Sequence, residues 1–496
     1  MSLADIGLDY SAVLPEILLA AFGILLMLVE AFAPSRNRIR AAFIALLGIA
    51  LAFVATLPQL TAGHRVAFSG MVIADGFRAI FTIVVLAASA ISILISWNFL
   101  TEEAIRPDDY FALVLFATAG MGLLIAANDL VVVFLGIETV TLATYVLAGF
   151  RRNDLRSTES ALKYFILGSF SSAFLLYGIA LIYGATRTTN LSAIQAMINR
   201  PLGSAETTLM LAGVGMLLIG FGFKMTAVPF HVWTPDVYEG APTPVTAFLS
   251  VGPKAAAFAA FLRVFSVALG AEPIGSIIGA KLRADWIAVA SAMAILTMTF
   301  GNLIAITQGN IKRMLAYSSI AHAGYVLLGL ISGYWPAVAF YAAAYTAMNL
   351  GAFAVVALIS RRGDERVLIE DYAGMGFKQP ILSFALTVFL LSLAGIPGTA
   401  GFMGKFWIFK SAWGEGFRAL VIAAVINTVV SVYYYFRIII VMFFRESKDE
   451  WVNVPLPGSF VIALTLTALG TIFLGLLPNP LFNLLNAAGT AIARVP

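Results

Sequence analysis

The sequence predicts an all-α polytopic membrane protein with fourteen transmembrane helices. Hydrophobic residues occupy 61% of the 496 positions and charged residues only 11%, against about 25% charged residues in soluble domains. Apolar runs of about 20 residues, enough to cross a hydrocarbon core of roughly 30 Å, follow one another with short polar breaks. The longest breaks, 187–204 and 361–380, are too short to be domains. A soluble architecture is therefore excluded.

Turn residues and charges flank each apolar run and mark the ends of the span. The tail up to Pro496 is expected to be a short, weakly amphipathic end. The fourteen spans are expected at 11–33, 39–60, 73–97, 109–127, 129–150, 157–186, 205–231, 243–270, 283–306, 310–332, 335–360, 381–413, 417–444 and 457–481.

The net charge of +4 reflects topology rather than nucleic-acid binding, because the basic residues lie mainly in loops between spans. Loops after odd-numbered spans hold roughly twice as many Lys and Arg residues as the others, which places those loops in the cytoplasm. Both termini are then predicted on the opposite side of the membrane. Asp5 and Asp9 stand where a signal peptide would be basic, so we expect the spans themselves to direct insertion.

No cofactor site is expected in this chain. The absence of cysteine excludes thiolate metal sites and cysteine-ligated iron–sulfur clusters. The pair Gly404-Lys405 lacks the upstream glycine and the following Ser or Thr of a phosphate-binding loop. Any energy source is expected in another chain or in an ion gradient.

Two predicted spans contain helix breakers together with a lysine. These are GFGFKMTAVPF, 220–230, in the seventh span and GIPGTAGFMGKF, 395–406, in the twelfth. Proline removes a backbone donor, and a broken helix is tolerated in a membrane only where protein or water satisfies the freed carbonyls. Two interrupted helices in two halves indicate an inverted repeat with an ion path at its interface, although the two strings do not align with each other.

Five ionisable side chains deep in apolar stretches of predicted spans stand out, because a charge at a helix centre costs about 2.5 to 3.5 kcal/mol. Structural roles are the alternatives: snorkelling for a lysine near a loop, helix pairing for the carboxylate, and a helix-end position for the lysine after the second break. Desolvation brings lysine and glutamate towards the range in which protons are exchanged at neutral pH, so we interpret the set as a proton relay. The five residues are Glu138, Lys163, Lys224, Lys254 and Lys405.

The histidines are weaker candidates for the proton path. His322 lies in the middle of the tenth span and is as readily a relay residue as a packed one. His231 follows the seventh span, where capping and packing are equal alternatives, and His64 lies in a loop. Asp236 and Glu239 are flanked by Pro and Gly, so we expect a turn with hydrogen-bonded carboxylates there.

Three long strings give the chain a close resemblance to the antiporter-like membrane subunits of proton-translocating NADH:quinone oxidoreductase, respiratory complex I, and among them to subunit N. The resemblance covers essentially all fourteen spans. Subunit N is favoured over its relatives because the larger pump subunit has a long lateral helix and the middle subunit usually has a glutamate where Lys405 stands. The strings are FHVWTPDVYEGAPTPVTAFLSVGPKAAAF (230–258), NIKRMLAYSSIAHAGY (310–325) and LAGIPGTAGFMGKFWIF (393–409).

The resemblance implies two inverted five-helix repeats with broken seventh and twelfth spans. The segments are then 1–108 with three helices, 109–270 and 271–446 as the repeats, and 447–496 with the last span. It further implies that Glu138 and Lys163 form a pair that senses the neighbouring subunit. Lys224 is then the central proton carrier, Lys254 the connecting carrier and Lys405 the carrier of the second half-channel.

The chain is accordingly expected to be a proton-pumping subunit of an NADH:quinone oxidoreductase without redox chemistry of its own. Its implied partners are neighbouring antiporter-like and small membrane subunits and the lipid bilayer, with FMN and iron–sulfur clusters in other subunits and no nucleic acid. The alternative is a subunit of a multisubunit cation/proton antiporter, and a third hypothesis is a structural scaffold. Co-purifying chains distinguish the first two.

Overall fold

A computed structural model describes residues 9–32, 38–61, 63–102, 107–270, 277–360, 366–447, 451 and 456–489. Nineteen α-helices lie in these ranges. In chain order they are α1 Leu14–Phe32, α2 Arg38–Thr56, α3 Gly76–Glu102, α4 Pro107–Ala126, α5 Leu130–Ala148, α6 Leu155–Thr186, α7 Leu191–Ile198, α8 Ser204–Lys224, α9 Thr234–Gly240, α10 Thr243–Phe261, α11 Ile277–Thr307, α12 Ile311–Ile331, α13 Trp335–Ile359, α14 Met375–Lys378, α15 Pro380–Ala394, α16 Ala400–Gly414, α17 Arg418–Phe444, α18 Gly458–Leu476 and α19 Asn479–Gly489.

The predicted all-α fold with membrane-spanning helices is confirmed. Thirteen helices in the described ranges are long and apolar enough to cross a membrane. The remaining predicted span, the twelfth, consists of the two half-helices α15 and α16. Together these make the fourteen expected spans.

Both predicted helix breaks are present. Helix α8 ends at Lys224, and Thr226 takes a left-handed φ of 61° before the chain becomes helical again in α9. Helix α15 ends before Gly395 and Gly398, whose φ values of 87° and 86° favour glycine. In both spans a lysine therefore lies at the break.

Three helices form the centre of the bundle. In α10, α12 and α13, 94% of the residues in the apolar stretch are buried, against 39% in α6 and α17. A helix that is apolar on all sides is stable in such a position because every face meets another helix. Polar side chains on α10 and α12 consequently face protein rather than lipid.

A short β-hairpin closes one end of the bundle between the second and third spans, and it was not predicted. Strands β1 Arg65–Ala67 and β2 Val72–Ala74 pair antiparallel. The carbonyl of Gly70 in the turn accepts hydrogen bonds of 2.8 Å from the side chains of both Asn128 and Asn190. The hairpin is thereby fixed to the start of α5 and of α7.

Candidate functional site

The chain of buried ionisable groups begins at Lys224, the last residue of α8. Its ammonium donates a hydrogen bond of 2.5 Å to the hydroxyl of Thr141 on α5. The C-terminal end of a helix carries a partial negative charge, so the break in this span favours a cation at its position. Lys224 also lines a cavity of about 20 Å³ together with Lys254, which has room for about one water molecule.

Lys254 lies on the central helix α10 and is 3% exposed. Its ammonium donates to the hydroxyl of Ser319 on α12 at 2.6 Å and to the Ser319 carbonyl at 3.3 Å. No carboxylate forms a salt bridge with it among the described residues. A second cavity, of about 10 Å³, is lined by both Lys254 and His322, so Lys254 lines a small cavity on each of two sides.

His322 on α12 is the next group and is 2% exposed. Its Nδ1 is hydrogen-bonded to the hydroxyl of Tyr341, and its Nε2 lies 3.1 Å from the hydroxyl of Tyr435. The Tyr435 hydroxyl is also 2.5 Å from that of Ser318. Both ring nitrogens are thus engaged by hydroxyl groups, which can donate or accept a proton as the tautomer requires.

Lys405 on α16 is 3% exposed and closes the set. Its ammonium donates to the carbonyls of Leu393 and Ala394, at 3.0 and 3.2 Å, which are left free where α15 ends. It also lies 4.9 Å from the ring centroid of Tyr325. The second break is therefore capped by the lysine that follows it.

A polar network surrounds the Tyr325 hydroxyl. The Asn302 side chain donates to this hydroxyl at 3.1 Å and accepts a hydrogen bond of 2.8 Å from Tyr434. The rings of Tyr434 and Tyr435 are 4.4 Å apart. The hydroxyl groups beside His322 and the network beside Lys405 consequently meet at two adjacent residues of α17.

Glu138 lies on α5 beside Lys224 and is half-buried. It interacts electrostatically with Lys224, but its buried Oε1 has no hydrogen-bond partner. A buried carboxylate oxygen without a donor is costly. Glu138 is thus positioned to influence Lys224 by charge rather than by contact.

Lys163 forms no ion pair with Glu138 among the described residues, and the expectation that the two act as a pair stays a prediction. Within the described residues its ammonium forms ion pairs at 2.8 Å with Glu159, one turn earlier on α6, and with Asp236 on α9. The Lys163 side chain is 43% exposed. The reason is its depth: Gly149 at the end of α5 packs against Ala161, so Lys163 lies near that end while Glu138 lies three turns deeper.

The other two histidines lie apart from the buried lysines. His231 is half-buried in the turns between α8 and α9, and no hydrogen bond joins it to a lysine in the described part of the chain. His64 is exposed, with Nδ1 3.9 Å from a carboxylate oxygen of Asp75. Across those same ranges no three His, Asp or Glu side chains form a group that could hold a metal.

Sequence reasoning missed a set of buried ion pairs at the hairpin end of the bundle. Arg78 is fully buried and binds both oxygens of Glu16 at 2.7 and 2.8 Å. Arg263 binds Asp75 at 2.7 Å. Glu16, Arg78 and Arg263 all lie within predicted spans, so the rule that singled out the five relay candidates could have found them.

The arrangement can support proton transfer across the interior. Lys224 and Lys254 line one cavity, Lys254 and His322 line another, and Lys405 lies against the ring of Tyr325. Among the described residues no carboxylate forms a salt bridge with any of these three lysines, although Glu138 interacts electrostatically with Lys224. Each can bind or release a proton, and hydroxyl side chains and single waters can carry it between them.

Comparison with known proteins agrees with this architecture. The family described as NADH:quinone oxidoreductase/Mrp antiporter, TM, matches residues 127–431. NADH-quinone oxidoreductase subunit N of Trichlorobacter lovleyi is 44% identical over 487 residues, 97% of each chain.

Two solved structures are similar over nearly the whole chain. A chain of respiratory complex I from Thermus thermophilus with bound aureothin is 35% identical with a TM-score of 0.80, covering 95% of this chain and 99% of that one. A chain of the archaeal membrane-bound sulfane sulfur reductase is 27% identical with a TM-score of 0.85, covering 98% of each. The likeness extends well beyond the segment that the family matches.

Proposed function

Because the chain belongs to the family of NADH-quinone oxidoreductase subunit N, we propose that it translocates protons across a bacterial inner membrane, driven by quinone reduction in partner subunits. The observation that carries this proposal is the pair of shared cavities that joins Lys224 to Lys254 and Lys254 to His322, whose Nε2 lies beside the Tyr435 hydroxyl. Buried ionisable groups in a membrane are expensive, and a connected series of them supports a transport role.

The buried groups take distinct roles in this proposal. Lys224 is the central carrier, Lys254 connects the two halves, and Lys405 serves the second half-channel. Glu138 adjusts the proton affinity of Lys224 through charge, and His322 relays protons between Lys254 and Lys405. Lys163 acts from the end of the bundle, and His231 is a minor candidate in the turns after Lys224.

The wider assembly follows from the family. Its membrane partners are neighbouring antiporter-like and small subunits, and the proposal places FMN and iron–sulfur clusters in other subunits. The first three spans, 1–108, precede two inverted repeats at 109–270 and 271–446, and the last span lies in 447–496. Both termini are placed in the periplasm by the loop charges.

Replacing Lys224 by alanine tests the proposal. In inverted membrane vesicles containing the whole complex, Lys224→Ala should lower the number of protons taken up per NADH oxidised, or the coupled activity, while the complex remains assembled. Lys378→Ala is the matched control, because Lys378 is an exposed lysine outside the bundle core. An unchanged ratio and rate in Lys224→Ala would support a scaffold instead.

Co-purification distinguishes the pump subunit from a gradient-driven antiporter subunit. Purification of the tagged chain from native membranes should recover flavin-containing and iron–sulfur-containing chains with NADH:quinone reductase activity. Recovery of only small membrane subunits, with cation-dependent proton exchange, would favour the antiporter. The 44% identity to a subunit N over 97% of each chain favours the first outcome.

A further inference from the structure

The short helix α9 forms an ionic bridge between the two halves of the bundle. Asp236 on α9 accepts a hydrogen bond of 2.8 Å from Lys163 on α6 and one of 2.9 Å from Arg313 on α12. Arg313 also donates to Glu239, one turn along α9, at 2.7 Å. Asp236 is thus the residue through which the charges of Lys163 and Arg313 are joined.

The same helix is tied to the surroundings of Lys224. Trp233, immediately before α9, donates through its indole to the carbonyl of Phe223 at 3.2 Å. Its ring stacks on Tyr164 at 4.5 Å, next in sequence to Lys163. Trp233 and Tyr164 both line the cavity that contains Lys224. A displacement of α9 therefore changes the wall of the Lys224 cavity.

Close packing lets α9 respond to α6. Gly240 at the end of α9 lies so near Arg156 that an added Cβ would be 2.6 Å from the Arg156 carbonyl oxygen. The Ser160 hydroxyl donates to the Val237 carbonyl at 3.2 Å. With no space between the two helices, a change in the Lys163–Asp236 ion pair moves α9 rather than being absorbed.

We propose that Asp236 is a positioning residue for proton transfer: it holds Lys163, and through α9 it transmits the state of that ion pair to the Lys224 cavity. Glu138 is not the contact partner of Lys163 in this arrangement. The inference rests on the proposed function, since it gives Asp236 a role in loading Lys224. It adds that the two halves of the bundle are coupled at this end by Arg313.

A double-mutant cycle in the whole complex tests the inference. Lys163→Met and Asp236→Asn should each lower NADH-driven proton uptake by about two- to fivefold, the range expected for partly exposed ion pairs. The double variant should be no slower than Asp236→Asn alone, because that substitution already removes the Lys163–Asp236 ion pair. Asp236→Glu should restore most of the rate.

Glu239→Gln is the matched control, because Glu239 binds Arg313 but not Lys163. Its effect should add to that of Lys163→Met. The inference is overturned if the effects of Asp236→Asn and Lys163→Met on proton uptake are additive. It is also overturned if the effect of Glu138→Gln, rather than that of Asp236→Asn, is non-additive with that of Lys163→Met. Measuring the amount of complex in the membrane for every variant separates transfer from assembly, so that a loss confined to assembly also overturns it.

The Lys224→Ala variant separates this inference from the function on which it rests. If Lys224→Ala lowers proton uptake while the Asp236 and Lys163 effects are additive, only the role of Asp236 fails. If Lys224→Ala leaves proton uptake and coupled activity unchanged, the proposed function itself fails.

Discussion

Lys405 combines two roles that a pair of substitutions can separate. Its ammonium satisfies two carbonyls at the end of α15, at 3.0 and 3.2 Å. Hydrogen bonds to a charged group contribute about 1.5–3 kcal/mol each, so Lys405→Met should cost about 3–6 kcal/mol. That is a large fraction of the stability of a typical domain, and the membranes should contain less assembled complex.

Lys405→Arg retains a cation that can donate to both carbonyls, but a guanidinium does not release its proton in proteins. The Arg variant should therefore assemble close to the wild-type level and still lose proton uptake. Immunodetection in native membranes measures the first quantity, and the pH change in inverted vesicles driven by NADH measures the second. Lys410→Met, an exposed lysine on the same helix, is the control.

The two variants also allow the reasoning to be refuted. Wild-type proton uptake per NADH in Lys405→Arg would show that Lys405 does not exchange protons. Wild-type assembly of Lys405→Met would show that the two carbonyl contacts contribute little to the second break. The first result would exclude the proton-exchange role of Lys405, and the second would exclude its structural role.

Three further predictions concern residues around the lysine chain. Arg78→Met should cost about 3–5 kcal/mol because it leaves the carboxylate of Glu16 buried and unpaired, and the double variant with Glu16→Met should recover assembly, measured as complex in the membrane. Tyr435→Phe should slow proton uptake by about tenfold, since an unmade buried hydrogen bond costs about 1–3 kcal/mol, whereas Tyr433→Phe, on an exposed face of the same helix, should have no effect. Burial alone would raise the pKa of Asp236, but hydrogen bonds from its two cationic partners hold it below the ordinary 3.8. The effect of the ionised Asp236 carboxylate on activity is therefore present above that value and is lost only as the pH falls through the lowered pKa. The activity ratio of wild type to Asp236→Asn should stay constant from about pH 8 to pH 5.

The sequence predicted the fold well because the bilayer restricts it. Apolar length fixed the spans, and Gly395 and Pro229 indicated the two breaks. Lys224, Lys254 and Lys405 stood out because a charge inside an apolar run needs a reason, and the structure buries or half-buries all three. Their roles in proton transfer stay predictions.

The parts that sequence did not predict depend on contacts between distant segments. Ser319 and Tyr435 are ordinary residues for a membrane helix, and only the packing of α10, α12 and α17 brings them to Lys254 and His322. Asp236 was expected in a turn with hydrogen-bonded carboxylates, but its partner Lys163 is 73 residues away. No local sequence pattern indicates such a pairing.

The two helix breaks explain why lysines stand at both ends of the series of buried ionisable groups. Lys224 is the last residue of α8, and Lys405 donates to the last carbonyls of α15. Lys224 therefore stands at a helix C-terminus and the Lys405 ammonium contacts one, and the partial negative charge there favours a cation. A carboxylate partner would hold a lysine in its charged form far more strongly than carbonyls and hydroxyls do. A broken helix thus stabilises the buried charged form while leaving the proton exchangeable. Lys254, on α10, is stabilised instead by the hydroxyl and carbonyl of Ser319 and by the ring of Tyr238, whose centroid is 5.7 Å from the ammonium.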